Sequence, residues 1–554
     1  MPRILHSQIS HLVLLAVFAA ILMLRGLGDS SIGYPDADRI LMDGVFLRDT
    51  MVDMPLSDPW GYAQAYFAQY PALSIGYRPP FFPFVEGVFN LVFGVNTWSS
   101  RLALFSFVLM GIVCWYKMVH RLAGTPTAFA SAALWLSTPF LAQWAWYTMA
   151  ELAVLSAVLC AVYFLVRWLE GQEPRDAVFL ALAIGIAAWT KQTAAFLVLT
   201  TLLALIARKR FGWAIRQPVH YGAGLLLIVI IAPLAVMTIA FGDQNIHQSV
   251  GDGTSETLSR LSAENWLIHI NTLVRDHLTV PFLVLALAGF VISVRKKDTA
   301  LWLPLLVILS VYVFFSLLLG KNTRYPIFWI PFWAMVAALP LKVWGIRSTA
   351  GRLYAGALAC TVAYQAGATF MKAPLYATGY NIAAREAVTA AGDRSIFVDA
   401  YNNGYFTYFA RQADSARQSY ILRGDKLLSS SSIVSSHWLE VHARSEEDIL
   451  KIFDELAVAA IVVESRNYTE LGIHDTLRQL LKDNTRFEHI RSIPVRSNRT
   501  MSSAPGNPRF EDITLELYRY RHARTEITGD IRLRLPVVGK TVVKKPEGER
   551  EGDN

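Results

Sequence analysis

Tyr34-Pro-Asp-Ala-Asp-Arg39 and Tyr77-Arg-Pro-Pro-Phe-Phe-Pro83 stand near the two ends of one polar loop, residues 26–98, in a chain that is otherwise apolar up to residue 370. The loop is far longer than an ordinary connection between helices. Around it lie apolar runs at 9–25, 100–118, 127–146, 149–167, 177–190, 193–207, 220–240, 278–294, 300–319, 325–341 and 351–370. Apolar runs of about 18 residues or more span a bilayer as helices. The 554 residues are 54% hydrophobic and only 17% charged, against about 25% charged in soluble domains. The deficit is confined to residues 1–370, whereas 371–554 have an ordinary soluble composition.

Positive charge orients the chain. Short cytoplasmic loops are enriched in Lys and Arg. With the N-terminus inside, and with 177–190 and 193–207 counted as two helices, the inside connections hold Lys117 and Arg121, Arg167 and Arg175, Arg208 to Arg216, Arg295 to Lys297, and Lys342 to Arg352. Counting one helix there would put two of these basic clusters outside. The expected architecture is a polytopic α-helical membrane protein of about 11 transmembrane helices, its N-terminus cytoplasmic. Its domains are 1–370 in the membrane, 371–536 outside as a small α/β domain, and 537–554 as a disordered tail.

The net charge of +8 sits at the ends of apolar runs. It therefore sets topology, and the pattern lacks the basic stripe of a nucleic-acid binder. Cys114, Cys160 and Cys360 fall inside apolar runs and read as buried hydrophobes. The first run follows Arg3 as a signal peptide would, but no small-residue cleavage site follows it, so it reads as an uncleaved helix. Within the loop, Ile40, Leu41, Val45 and Phe46 share a helical face, and Trp60 to Tyr70 is aromatic and amphipathic. Both segments suit helices lying in the interface plane; a folded extracellular mini-domain is the alternative.

Ionisable residues at a membrane edge are costly and mark functional sites. Glu151, Lys191, Lys321 and Arg324 join Asp36, Asp38 and Arg78 on the one face that the topology places outside. Cations there suit a lipid phosphate, and a carboxylate suits a general base or a cation ligand. Each residue has a purely structural explanation as well. Asp36 or Asp38 could cap a helix, Glu151 could answer a helix dipole, and Lys191 and Arg78 could snorkel. Tyr77 and the tryptophans at 144 and 146 suit an aromatic belt. What argues for a site is their coincidence on one face.

The same motifs resemble the GT-C glycosyltransferases, in the branch of protein O-mannosyltransferases, aminoarabinose transferases and RgtA/B/C/D-like enzymes. YPDADR resembles the acidic motif of their first external loop. YRPPFFPFVEGVFNLVFGVNTWSSRLALFSF resembles their Pro-Pro stretch, GIAAWTKQTAAFLVL their Gly-rich span, and KNTRYPIFWIPFWAMVAAL their late span. The resemblance covers residues 1–370. It implies an inverting transfer of a sugar from a polyprenyl phosphate, undecaprenyl or dolichyl, to a lipid, glycan or protein acceptor. The setting is the extracytoplasmic face of a plasma membrane, a bacterial inner membrane by preference. It further implies Asp36 as the catalytic residue, and Arg78, Lys191, Tyr325, Arg324, Glu151, Asp38 and Tyr77 as substrate-binding residues. The sequence departs from the family at Ala37 and Tyr77, where other members carry acids. Both changes remove metal ligands, so no metal site is assigned, although a divalent cation stays open as an alternative. A non-catalytic lipid transporter or flippase is the rival reading; it lacks support from an internal repeat.

Overall fold

The computed structural model describes residues 2–28, 31–74, 76–242, 259–431, 439–469, 471–498, 513–534 and 541–544. Every apolar run expected to span is largely helical. Among the described residues, five helices are long and apolar enough to cross a membrane: Thr97–Ala123, Ala150–Gly171, Pro218–Phe241, Thr299–Leu317 and Tyr325–Trp344. A sixth would be the pair Ala263–His277 and Val280–Arg295, which is bent by 120° at its break. Shorter apolar helices cover Gln8–Met23, Phe81–Phe93 and Gln192–Ala207. The chain is an integral membrane protein. Leu225, Ile228, Val229, Val236 and Ile239 of Pro218–Phe241 are all exposed, a continuous apolar face that suits lipid.

Two runs differ from their simplest expectation. Residues 127–146 form two helices, Thr125–Leu136 and Pro139–Trp146. Pro139 has no N–H to continue the first helix and instead opens the second. Residues 177–207 do form two helices. Pro174–Thr190 ends at Lys191, whose backbone is extended (φ −163°, ψ 134°), and a 3-10 turn over Gln192–Ala195 starts the next. Of the cysteines, Cys114 is buried, but Cys360 is exposed on Thr349–Met371, a helix whose outer side also exposes Leu353, Tyr364 and Phe370.

After α1 (Pro2–Met23), the long loop is folded into α2 (Ala37–Asp53), α3 (Pro59–Gln69) and α4 (Phe81–Phe93). The two amphipathic segments are thus helical, but α2 does not lie open to an interface. Ten of its residues are buried, Asp38, Asp43 and Asp49 among them. It packs on α4 on one side and on the soluble region's helix Asn403–Ala413 on the other. α4 approaches α2 closely at Gly44, where an added Cβ would meet the Glu86 Cβ at 2.9 Å.

The soluble region is built on a five-stranded sheet. Its strands are β1 (Ser395–Asp399), β2 (Ile421–Arg423), β3 (Val458–Glu464), β4 (Phe487–Pro494) and β5 (Thr514–Tyr520), in the order β2-β1-β3-β5-β4. β1 runs parallel to both β2 and β3, with Val398 opposite Arg423 and Asp399 opposite Val463. β5 pairs antiparallel with β3 and β4. β1 and β3 are buried along their whole length, as strands covered on both faces must be. The tail beyond residue 536 differs from its expected disorder at one place. Thr541–Lys544 pairs antiparallel with Ile531–Arg534, a register that the two valines at 542 and 543 support by β propensity; the rest of 537–554 lies outside the described residues.

The soluble region is clamped to the loop helices by buried polar contacts. The Arg411 guanidinium donates from Nη2 and Nε to Asp49 Oδ2, at 2.7 and 3.0 Å, with both side chains buried. Tyr66 Oη donates to the same oxygen at 2.7 Å. Gln69 donates to the Arg417 carbonyl at 2.7 Å, and Arg423 to the Pro71 carbonyl at 2.6 Å. A buried ion pair with its remaining lone pairs satisfied holds one geometry, because breaking it leaves a bare charge in low dielectric.

Candidate active site

Asp36 occupies the cap position of α2, but its side chain makes no capping hydrogen bond (φ −89°, ψ −8°). The carboxylate is instead turned to two arginines. Arg78 Nη2 lies 3.2 Å from Oδ1, and Arg324 Nη2 lies 3.5 Å from Oδ2. Arg78 also donates to the Asp36 carbonyl at 3.2 Å. Burial alone would raise the Asp36 carboxyl, but Arg78, Arg324 and Arg39 outweigh it and hold it at about 2.

Arg324 links this carboxylate to a second one. Its Nε lies 3.4 Å from Glu151 Oε1, which also accepts from Lys191 Nζ at 2.6 Å. Glu151 stands in the first turn of Ala150–Gly171, where the helix dipole favours an acid. It is also buried, so the two cations are what compensate it. Lys191 reaches Glu151 because the helix ends at its extended backbone; it points to a carboxylate and does not snorkel. The face that topology assigned to these residues is therefore one connected cluster of Asp36, Arg78, Glu151, Lys191 and Arg324.

Other expected residues divide. Tyr77, half-buried beside Arg78, lies within electrostatic reach of Asp36 and Tyr325. Tyr325 opens the 3-10 turn Tyr325–Trp329, its ring stacked on Phe315 at 6.2 Å. Asp38 makes no ion pair with the cluster among the described residues and packs instead on the soluble region. A Cβ on Gly404 would meet its Oδ2 at 1.6 Å, so this buried carboxylate lies against the first turn of Asn403–Ala413, where the helix dipole favours it. Lys321 is also separate: its Nζ donates to the Phe315 carbonyl at 2.9 Å and the Ser316 carbonyl at 3.0 Å. It closes the end of the preceding helix.

The aromatic residues correct the expectation of a belt. Trp144 and Trp146 are buried. The Arg324 guanidinium lies 5.7 Å from the Tyr34 ring and 5.8 Å from Trp144, and its Nη1 donates to Tyr34 Oη at 3.3 Å. Tyr34 in turn stacks on Tyr147 at 5.3 Å. These rings hold the arginine that bridges the two carboxylates. Tyr34 opens YPDADR, and only its place in the motif hinted at a role.

Three cations against two carboxylates leave the cluster with one positive charge in excess, which suits an anionic ligand. The donor set does not fit a divalent cation. Both carboxylates already face cations, and among the described residues no three His, Cys, Asp or Glu side chains gather together.

A second constellation in the soluble region has the connectivity of a nucleophile relay. Ser429 Oγ is 3.1 Å from His474 Nε2, and His474 Nδ1 is 2.8 Å from Asp399 Oδ1. Arg478 donates to the other Asp399 oxygen at 2.8 Å. Ser429 is only 4% exposed and His474 0%, so no carbonyl could reach the serine, and the chain of bonds ties helix Gly472–Leu480 to the sheet.

Residues 77–237 match the family model of dolichyl-phosphate-mannose-protein mannosyltransferase, a segment that includes Tyr77, Arg78, Glu151 and Lys191. ArnT from Cupriavidus metallidurans in the apo state superposes with a TM-score of 0.58 at 15% identity, over 92% of this chain and 98% of that one. The fold is that of the GT-C glycosyltransferases. The same ArnT bound to undecaprenyl phosphate gives a TM-score of 0.55 at 14% identity, over 91% and 97% of the two chains. The Archaeoglobus fulgidus oligosaccharyltransferase gives 0.49 at 12% identity, over 82% and 69%. No curated protein matches the sequence.

Proposed function

We propose that this chain is an inverting glycosyltransferase that moves a sugar from a polyprenyl phosphate to an acceptor hydroxyl on the extracytoplasmic side of a bacterial plasma membrane. The observation that supports it best is Asp36 held between Arg78 and Arg324, with Lys191 and Glu151 adjoining. In this reading the cations receive the donor phosphate, which is the leaving group. The acceptor oxygen attacks the anomeric carbon from the opposite face. The carbon–oxygen bond to phosphate breaks, its electron pair stays on the phosphate oxygen, and the acceptor proton passes to Asp36.

A carboxyl held at about 2 is a weak base. The donor resolves this. Its phosphate competes for Arg78 and Arg324, and each guanidinium drawn to phosphate is withdrawn from Asp36, so the carboxylate gains basicity when the donor is in place. Glu151 keeps Arg324 and Lys191 poised meanwhile. Asp36→Asn, purified in detergent and supplied with radiolabelled polyprenyl-phosphate sugar, is expected to lose transfer by about 10²- to 10⁴-fold while still binding polyprenyl phosphate. Transfer at the wild-type rate would remove Asp36 from this role. A flippase would label no acceptor in micelles, which separates the rival reading.

A further inference from the structure

Arg324 joins the two carboxylates of the cluster, yet it stands in a break between helices. The link that carries it lies between the helix Trp302–Leu317 and the 3-10 turn Tyr325–Trp329, so no continuous helical ladder holds its backbone. The hold comes from another element. His277 Nε2 donates to the Thr323 carbonyl at 2.7 Å, and Trp329 Nε1 donates to His277 Nδ1 at 2.7 Å. A carbonyl only accepts and an indole N–H only donates, so the two partners fix the imidazole as the neutral tautomer with its proton on Nε2. One side chain thus staples the turn at both ends, with Arg324 and Tyr325 between them.

His277 also supports the far end of Arg324. Its ring meets Phe140 at 4.4 Å, Phe140 meets Trp144 edge-on at 6.0 Å, and Trp144 lies 5.8 Å from the Arg324 guanidinium. The imidazole is buried. For packing alone an apolar side chain would serve at lower cost, because a buried imidazole needs a partner on each nitrogen. What brings it to this place is a π turn, Leu273–His277, closed by the Leu278 N–H on the Leu273 carbonyl at 2.9 Å. Such turns interrupt helices mostly at functional sites. Directly after it the chain bends by 120° into Val280–Arg295. Sequence reasoning passed over His277, which lies in no motif and whose partners are 46 and 52 positions away.

We propose that His277 is the positioning residue for Arg324: by bridging the Thr323 carbonyl and the Trp329 indole it fixes the turn from which the guanidinium reaches the donor phosphate, and so sets the affinity for that phosphate. The inference rests on the reading of the cations as the seat of the donor phosphate. His277 touches no substrate and acts only through Arg324.

The test is equilibrium binding of undecaprenyl phosphate to the full chain in detergent, with thermal unfolding followed alongside. His277→Ala is expected to weaken binding about tenfold, as for one misplaced charge-assisted hydrogen bond. His277→Gln keeps an N–H for the Thr323 carbonyl and is expected to stay within about threefold of wild type. Trp329→Phe keeps a ring, removes only the second bond, and is expected to cost about threefold; it carries the same comparison if the alanine variant does not fold. In an Arg324→Ala background, His277→Ala is expected to add less than about twofold, because the group it positions is gone. A histidine that served stability alone would cost the same factor with or without Arg324. Equal losses in the two backgrounds, wild-type affinity in His277→Ala, no recovery in His277→Gln, or a wild type that does not bind undecaprenyl phosphate would each overturn the inference. A wild type that binds it and shows the coupling, but labels no acceptor, would overturn the transfer reading alone.

Discussion

At the scale of the residue, the cluster turns on what surrounds Asp36. A carboxyl held at about 2 by two arginines contributes stability that is present above its unfolded value of about 3.8 and is lost as pH falls through the folded value. The same pairing makes a kinetic prediction. The acid limb of kcat/KM reports the free enzyme and that of kcat the donor complex. Because donor phosphate draws the arginines away, the kcat limb is expected at higher pH than the kcat/KM limb. Coincident limbs in a pH–rate series would contradict substrate-released Asp36. Glu464 behaves in the opposite sense. Burial raises it to about 7, despite bonds from Tyr380 and the Tyr401 N–H. A raised acid holds its proton in the folded state, so stability is expected to fall as pH rises from about 4.5 to about 7 and then to level. Glu464→Gln keeps an acceptor oxygen for both donors and carries no charge. It is expected to remove this slope and to be the more stable protein at pH 8, by up to roughly 3 kcal/mol at 1.36 kcal/mol per unit, in thermal unfolding of the full chain.

At the scale of the element, the helix breaks do the positioning. Lys191 meets Glu151 only because Pro174–Thr190 stops at an extended residue. Arg324 meets Asp36 and Glu151 from the turn before Pro326, a residue whose backbone is non-helical (φ −84°, ψ 19°). Hydropathy made these helices legible, since a run of apolar side chains needs no partner to declare itself. The breaks were less so: Trp189-Thr190-Lys191-Gln192 was visible as an interruption, whereas the division at Pro139 lay inside one apolar run. α2 was foreseen from its apolar residues, but it also carries Asp38, Asp43 and Asp49, which look solvent-facing until their partners are known. Arg411, 362 residues from Asp49, is one such partner. Asp49→Asn or Arg411→Ala is expected to loosen the soluble region from α2 at a cost of about 3–5 kcal/mol, the penalty of a stranded buried charge. Limited proteolysis, with faster cleavage after the last membrane helix, is the check.

At the scale of the molecule, two halves of different composition share one site region. The membrane part supplies Glu151, Lys191 and Arg324. The loop supplies Asp36 and Arg78, and the soluble region packs on α2 through helix Asn403–Ala413. Their seating depends on close approach at Gly404, where any Cβ would collide with Asp38. Gly404→Val is therefore expected to displace the sheet from α2 and to lower both the melting temperature and the rate of transfer. A variant with normal stability and transfer would show that this contact is not needed.

The amino-acid sequence by itself determined the class of the molecule: membrane helices from hydropathy, an α/β region after them from its composition, and a set of ionisable residues too costly to leave idle. Those properties are local, and a one-dimensional pattern carries them. Tertiary structure alone decided which charges meet. It joined Asp36 to Arg78 and Arg324 and set Asp38 against the soluble region. It also gave Lys321 to a helix end. Pairing depends on distances of a few ångströms between residues hundreds of positions apart, and the energy of a charge is set by what lies within that distance.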